Sequence, residues 1–197
     1  MKKIDFYFDF ASPNGYLSLQ ALKKYQASMD LEINYIPVLL GGIFKLTNNQ
    51  PPMIAFGEVK GKLEYENLEM KRFIDFHQLS NFKMNPHFPV ITLMLMRGAL
   101  AAQQEGFLEE YINKMSVEMW ENEKKLDDPD ELKAAYDNAG FDSDKIFSLM
   151  GTQEIKDKLL SNSSAAAERG VFGIPTFFVG DEMYFGKNTI EEIIKKF

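Results

Sequence analysis

The 197-residue chain contains no cysteine. That excludes disulfides, thiolate metal sites, a cysteine nucleophile and any Cys-x-x-Cys redox pair, so thiol chemistry here needs a thiol from outside. No metal site is expected. Positive charge is in deficit, 22 Lys and Arg against 29 Asp and Glu with only two histidines, which argues against a nucleic-acid surface. No run of eighteen apolar residues occurs, so no membrane span is expected. The opening MKKIDFYF enters a strand at once and carries Asp5, with Asp9 just beyond, so it does not read as a secretory signal. With cysteine absent, a cytoplasmic location is expected. What is present is 45% apolar residues, enough for a substantial core in one domain or in one with an inserted subdomain.

The organising stretch is FYFDFASPNGY, Phe6 to Tyr16. Phe6, Phe8 and Phe10 alternate with Tyr7 and Asp9 at the period of a strand. Ser12 then reads as a helix N-cap and Pro13 as the first helical residue, followed by an apolar stripe of Leu17, Ala21, Leu22 and Tyr25. A hydroxyl and free backbone N–H groups thus meet at a positive helix end, a place that holds an anion or favours a thiolate. A capped strand-to-helix turn with no further role is the plainer reading of the same residues.

Leu31 to Leu39 reads as a second strand, finishing near Pro37 or lying at a sheet edge. Gly41-Gly42 reads as a turn before a short helical piece from Ile43, and Asn48-Asn49-Gln50-Pro51-Pro52 as a break. A long helix is expected from Gly61 to about Leu79, with Met70, Phe73, Ile74 and His77 on one face. Val90 to Gln104 is apolar almost all round and reads as a buried central helix, with Arg97 its one charge. Leu108 to Met119 gives a further stripe, and Asp128 with Pro129 and Glu131 a capping box. Asp142 and Thr152 cap two more helices, the second running to about Arg169. Thr176–Val179, the Gly180-Asp181 loop and 182–185 make a hairpin, and Asn188 with Glu191 a last capping box.

The order β-α-β, many helices, β-β-α implies an α/β, thioredoxin-type fold carrying a large all-helical insertion. The expected division is 1–55 with 170–197 for the discontinuous thioredoxin-like part, and 56–169 for the helical insertion.

FYFDFASPNGYL, PVLLGGIFK with NNQPP, KGK at 60–62, NPHFPVITLMLMRGALAA and ERGVFGIPTFFVGDEMYFG occur in this order. On these pieces the chain resembles the 2-hydroxychromene-2-carboxylate isomerase and kappa-class glutathione transferase family, a DsbA-like branch of the thioredoxin fold. The resemblance implies that Ser12 stands where disulfide oxidoreductases keep their first cysteine. Its hydroxyl would hydrogen-bond the thiolate of glutathione, the implied cofactor. It further implies a cis Pro175, with Ile174 offering its backbone to the cysteinyl unit of glutathione. Pro13, Asn14 and Asn49 complete the implied site, with Lys187 and Asn188 at the glutamyl end. There the chain departs from the family: Gly186-Lys187-Asn188-Thr189 stands where the pattern is Gly-x-Asp-Arg. The acid is replaced by Asn188, and Lys187 is placed to meet a carboxylate, which puts the identity of the thiol in question.

The resemblance offers Lys45 and Lys62 to an aromatic or conjugated carboxylate substrate; His87, between Pro86 and Phe88, reads from its place in the chain as a pocket-lining residue and candidate proton carrier. By their surroundings in sequence, the two lysines are equally readable as solvated and His77 as a core histidine. Arg97 reads as a buried structural pair or helix-end anchor, and Trp120 and the methionines as core. The family implies a homodimer. The activity implied is a glutathione-dependent isomerase; a kappa-like transferase and a non-catalytic thioredoxin-fold binding protein remain open.

Overall fold

A computed structural model describes residues 2–197. Its sheet has the order β2-β1-β3-β4, built from β1 (Lys2–Phe8), β2 (Leu31–Pro37), β3 (Thr176–Val179) and β4 (Glu182–Phe185). The first two strands run parallel, joined by α1 (Pro13–Gln26), and β3 and β4 add antiparallel. This is the thioredoxin-type arrangement. Pro37 closes β2, which is an edge strand, so its missing N–H interrupts no ladder.

Between the two halves run α2 (Leu40–Thr47), α3 (Pro52–Ala55), α4 (Lys62–His77), α5 (Leu93–Gln104), α6 (Leu108–Trp120), α7 (Pro129–Asn138), α8 (Ser143–Met150) and α9 (Gln153–Glu168). A short 3₁₀ turn at Lys187–Thr189 leads into α10 (Ile190–Lys195). Four helices start on the caps read from the sequence. Ser12, Asp128, Asp142 and Thr152 each accept a backbone N–H of their own first turn. At Asp128 the box is open: Glu131 reaches the N–H of Lys125 instead of the cap residue.

Helix α5 carries no charge but Arg97 and packs between β2 and helices α6, α8 and α9. The main core runs without a break from Phe6, Phe8 and Phe177 through Leu95 and Met96 to Tyr111, Trp120 and Tyr136. Gly98 is what lets the Tyr111 and Tyr136 hydroxyls meet at 2.7 Å against α5; a Cβ there would lie 2.5 Å from the Tyr136 oxygen.

Four expectations need correcting. The strand period stops at Phe8, because Asp9 turns its carboxylate back onto the Ala11 N–H. Gly41 and Gly42 lie inside α2, not in a turn. The N-terminal N–H groups of that helix are satisfied from far away, Leu39 by Ser163 Oγ at 3.0 Å and Leu40 by Asp9 at 2.6 Å, so no local signal marks its start. Arg97 pairs with no acid among the described residues, and its Nε is buried without a partner. Asn188 does not cap α10. It lies in the 3₁₀ turn and donates to Glu69 on α4.

Candidate active site

Three long-range ties hold the turn between β1 and α1. Asp9, fully buried, accepts from Ala11 N and Thr92 Oγ1 on one oxygen and from Leu40 N on the other. The turn is thereby fastened to the starts of both α2 and α5. Trp120 Nε1 donates to Phe10 O at 3.1 Å, adding a tie from α6. Burial pushes the Asp9 pKa up, and the three donors pull it back. The loop is therefore braced from α2, α5 and α6.

On this loop Ser12 has extended backbone, and its Oγ accepts the Gly15 N–H at 3.1 Å. Its hydroxyl proton goes to the Ile174 carbonyl, 3.1 Å away and 162 residues along the chain. The Ile174–Pro175 bond is cis. The structure thus brings Ser12, Pro13, Asn14, Ile174 and Pro175 to one place at the positive end of a 14-residue helix. Asn14, second in the helix, has a buried Oδ1 without a hydrogen-bond partner. Gly15 lies close under the cap, within 3.5 Å of Ile174 by the position a Cβ would take. Gly186 N donates to Pro175 O, so β4 supports the proline segment from its other side.

Asn49 is at the rim. Its Nδ2 donates to Phe172 O at 2.8 Å, tying the loop after α2 to the segment before Pro175, and its Oδ1 accepts locally from Gln50 N. Phe172 stacks obliquely on Phe185, 4.5 Å between centroids, giving an aromatic shelf next to the same segment.

The glutamyl end differs from expectation. Lys187 is 4% exposed and faces inward, its ammonium 2.5 Å from Glu69 and over the Phe73 ring. Lys187 is therefore already paired and not free for a ligand carboxylate, and Asn188 shares the same Glu69. Glu69 had no signal in the sequence, since its partners lie about 118 residues away. Asp9 did have one, a lone acid inside an apolar strand run.

Of the three substrate candidates, Lys45 is exposed on α2 and makes no ion pair among the described residues. Lys62 opens α4, pairs with Glu66 at 2.9 Å and lies over Phe56. His87 is exposed on the loop before α5, where only its backbone N–H is bonded, to Asn85 Oδ1. None of the three contacts the Ser12–Ile174 pair by hydrogen bond. His77 is core, packed on Phe73 at 4.2 Å. Two open depressions of about 340 and 380 Å³ flank Phe76 and His77 beside α1, α4 and α10, and Ser12 lines neither.

A family model described as a DSBA-like thioredoxin domain matches residues 3–197. The chain is 28% identical over 189 residues to the 2-hydroxychromene-2-carboxylate isomerase of Pseudomonas putida, covering 95% of this chain and 90% of that one. It is 25% identical over 188 residues to Glutathione S-transferase kappa 1 of Homo sapiens, covering 88% and 79%. A solved 2-hydroxychromene-2-carboxylate isomerase superposes with a TM-score of 0.84 at 26% identity, over 98% of this chain and 93% of that one. A probable DsbA oxidoreductase from Streptomyces coelicolor shares the fold at 15% identity, with a TM-score of 0.76 over 100% and 88% of the two chains.

Proposed function

Because this chain belongs to the DSBA-like thioredoxin domain family, and has no cysteine of its own, we propose that it is an enzyme that borrows its thiol. The reading is a glutathione-dependent isomerase of the 2-hydroxychromene-2-carboxylate type, acting on a conjugated aromatic carboxylate. The observation that carries it is the placement of the Ser12 hydroxyl at a helix N-terminus against Ile174 and cis Pro175.

The residues fit a thiol peptide. Helix N–H groups and one O–H donor favour S⁻ over S–H, and the Ile174 backbone is placed to pair with an extended peptide as one added rung. The buried, unpartnered Oδ1 of Asn14 adds an acceptor beside them. Glutathione, when bound, supplies a nucleophilic sulfur that adds reversibly to a conjugated system and is returned unconsumed. Ser12 holds that sulfur ionised, and the ties on Asp9 and Phe10 keep the hydroxyl in place. Phe172 and Phe185 offer an apolar shelf for an aromatic ring, and Lys45 is the free cation best suited to a substrate carboxylate. At the glutamyl end, where the family pattern has Asp-Arg, both oxygens of Glu69 from α4 are taken by Lys187 and Asn188.

The test is turnover of 2-hydroxychromene-2-carboxylate with and without reduced glutathione, by wild type and Ser12→Ala. Isomerisation that needs glutathione, leaves its concentration unchanged and falls at least a hundredfold in the variant supports the reading, on the scale set by loss of one preorganised donor. Glutathione consumed in proportion to product means a transferase of the kappa kind, and no turnover with any conjugated acid means a binding protein.

A further inference from the structure

The Ser12 hydroxyl is already committed within the chain itself. It has a single proton, and that proton is directed at the Ile174 carbonyl. While it stays there, it is not available to a sulfur. The oxygen end is held separately by the Gly15 N–H, a bond that survives rotation of the hydroxyl and polarises it toward donation.

Ile174 lies just beyond the paired part of the sheet. The β1–β3 ladder ends at Tyr7 opposite Thr176, so 174 and 175 continue past it. The Ile174 N–H has no acceptor among the described residues, and its carbonyl has no partner except Ser12. A strand segment with unpaired backbone groups is a template for an extended peptide.

We propose that the Ile174 carbonyl parks the Ser12 proton and releases it only when an amide N–H of the ligand takes its place, which makes thiol activation conditional on a peptide-like thiol. This rests on the reading of Ser12 as the thiol site and deepens it by making activation depend on the ligand's amide N–H. The exchange replaces one neutral hydrogen bond to a carbonyl by another and is close to balanced. The freed hydroxyl then gains a stronger, charge-assisted bond to sulfur, and the thiol proton leaves to water. An N-acylated cysteine unit, as in glutathione or another cysteinyl peptide, satisfies the condition. A simple alkyl thiol does not: it leaves Ser12 on Ile174 and meets only the helix terminus.

The experiment compares three probes at saturation: reduced glutathione, its analogue with an ester oxygen in place of the cysteinyl N–H, and 2-mercaptoethanol. Bound thiolate is read by ultraviolet difference absorbance across pH, and affinity by calorimetry. Read against each thiol's own free value, glutathione's ionisation is expected to move down by about one pH unit or more further than that of the other two, roughly tenfold more thiolate in the acidic part of the curve. In Ser12→Ala, that gap in ionisation should close while any gap in affinity remains. An ester analogue that ionises as fully as glutathione would overturn the exchange and leave the thiol site standing. So would a gap that persists in Ser12→Ala. No binding of glutathione at all would remove the thiol-site reading, and this inference with it.

Discussion

Asp9 is the residue whose removal should cost most for its size. Among the described residues its carboxylate is the one acceptor for Ala11 N–H, Leu40 N–H and the Thr92 hydroxyl, which lie on three separate segments. Asp9→Ala leaves three donors without a partner. At about 1–3 kcal/mol for each orphaned buried group, with some relief from relaxation and water, the expected loss is roughly 3–6 kcal/mol. Asp9→Asn is the more informative change. Its amide oxygen can keep Ala11 and Thr92, but its NH₂ then faces the Leu40 N–H, donor against donor, for about 1–3 kcal/mol. The pH dependence separates charge from shape. Burial raises the Asp9 pKa above 3.8, so the folded state holds this proton more tightly than the unfolded state. The group's contribution is fully present below the unfolded value and is lost as pH rises through the raised folded one. Asn does not titrate. The stability gap between wild type and Asp9→Asn, from urea unfolding, should therefore be wider at about pH 4 than at neutral pH, other carboxylates cancelling in the comparison. A gap that stays constant or widens toward neutral pH would refute the reasoning.

Gly98→Ala should drive a methyl into the Tyr111 and Tyr136 hydroxyls, costing about 1–3 kcal/mol or more, read as a lowered urea midpoint. Glu69→Ala should strand the buried Lys187 ammonium for about 3 kcal/mol, the low end of the range for a broken buried pair because Glu69 keeps some water; Glu69→Leu with Lys187→Met should recover most of it. His77 is held below its usual pKa by burial, against the pull of Glu191. Its contribution is then present above the unfolded value of 6.5 and lost as pH falls below it, so unfolding midpoints of wild type and His77→Gln should converge from pH 7.5 to about 5.5.

The sequence by itself determined whatever is decided within one turn of chain. Ser12-Pro13, Asp128-Pro129, Asp142 and Thr152 announce their helices because the capping oxygen and the N–H it satisfies are three residues or fewer apart. The hairpin at Gly180 and the closing strand residue Pro37 are legible for the same reason. Ser12 could be singled out as a helix-end hydroxyl, and the ordered motifs around it pointed to the family.

Tertiary structure alone decided the rest, because those groups find their partners across the fold. Helix α2 begins where Asp9 and Ser163 supply the acceptors that a local cap would have offered, so a Gly-Gly pair is carried into a helix. Asn188 has the spacing of a cap with Glu191, yet Glu69 from α4 claims its amide. Lys187, expected to meet a ligand carboxylate, is turned inward by that same Glu69. Most of all, the state of the Ser12 hydroxyl was invisible in the sequence. Its proton is held by a carbonyl 162 residues away, and only folding brings the two within 3.1 Å.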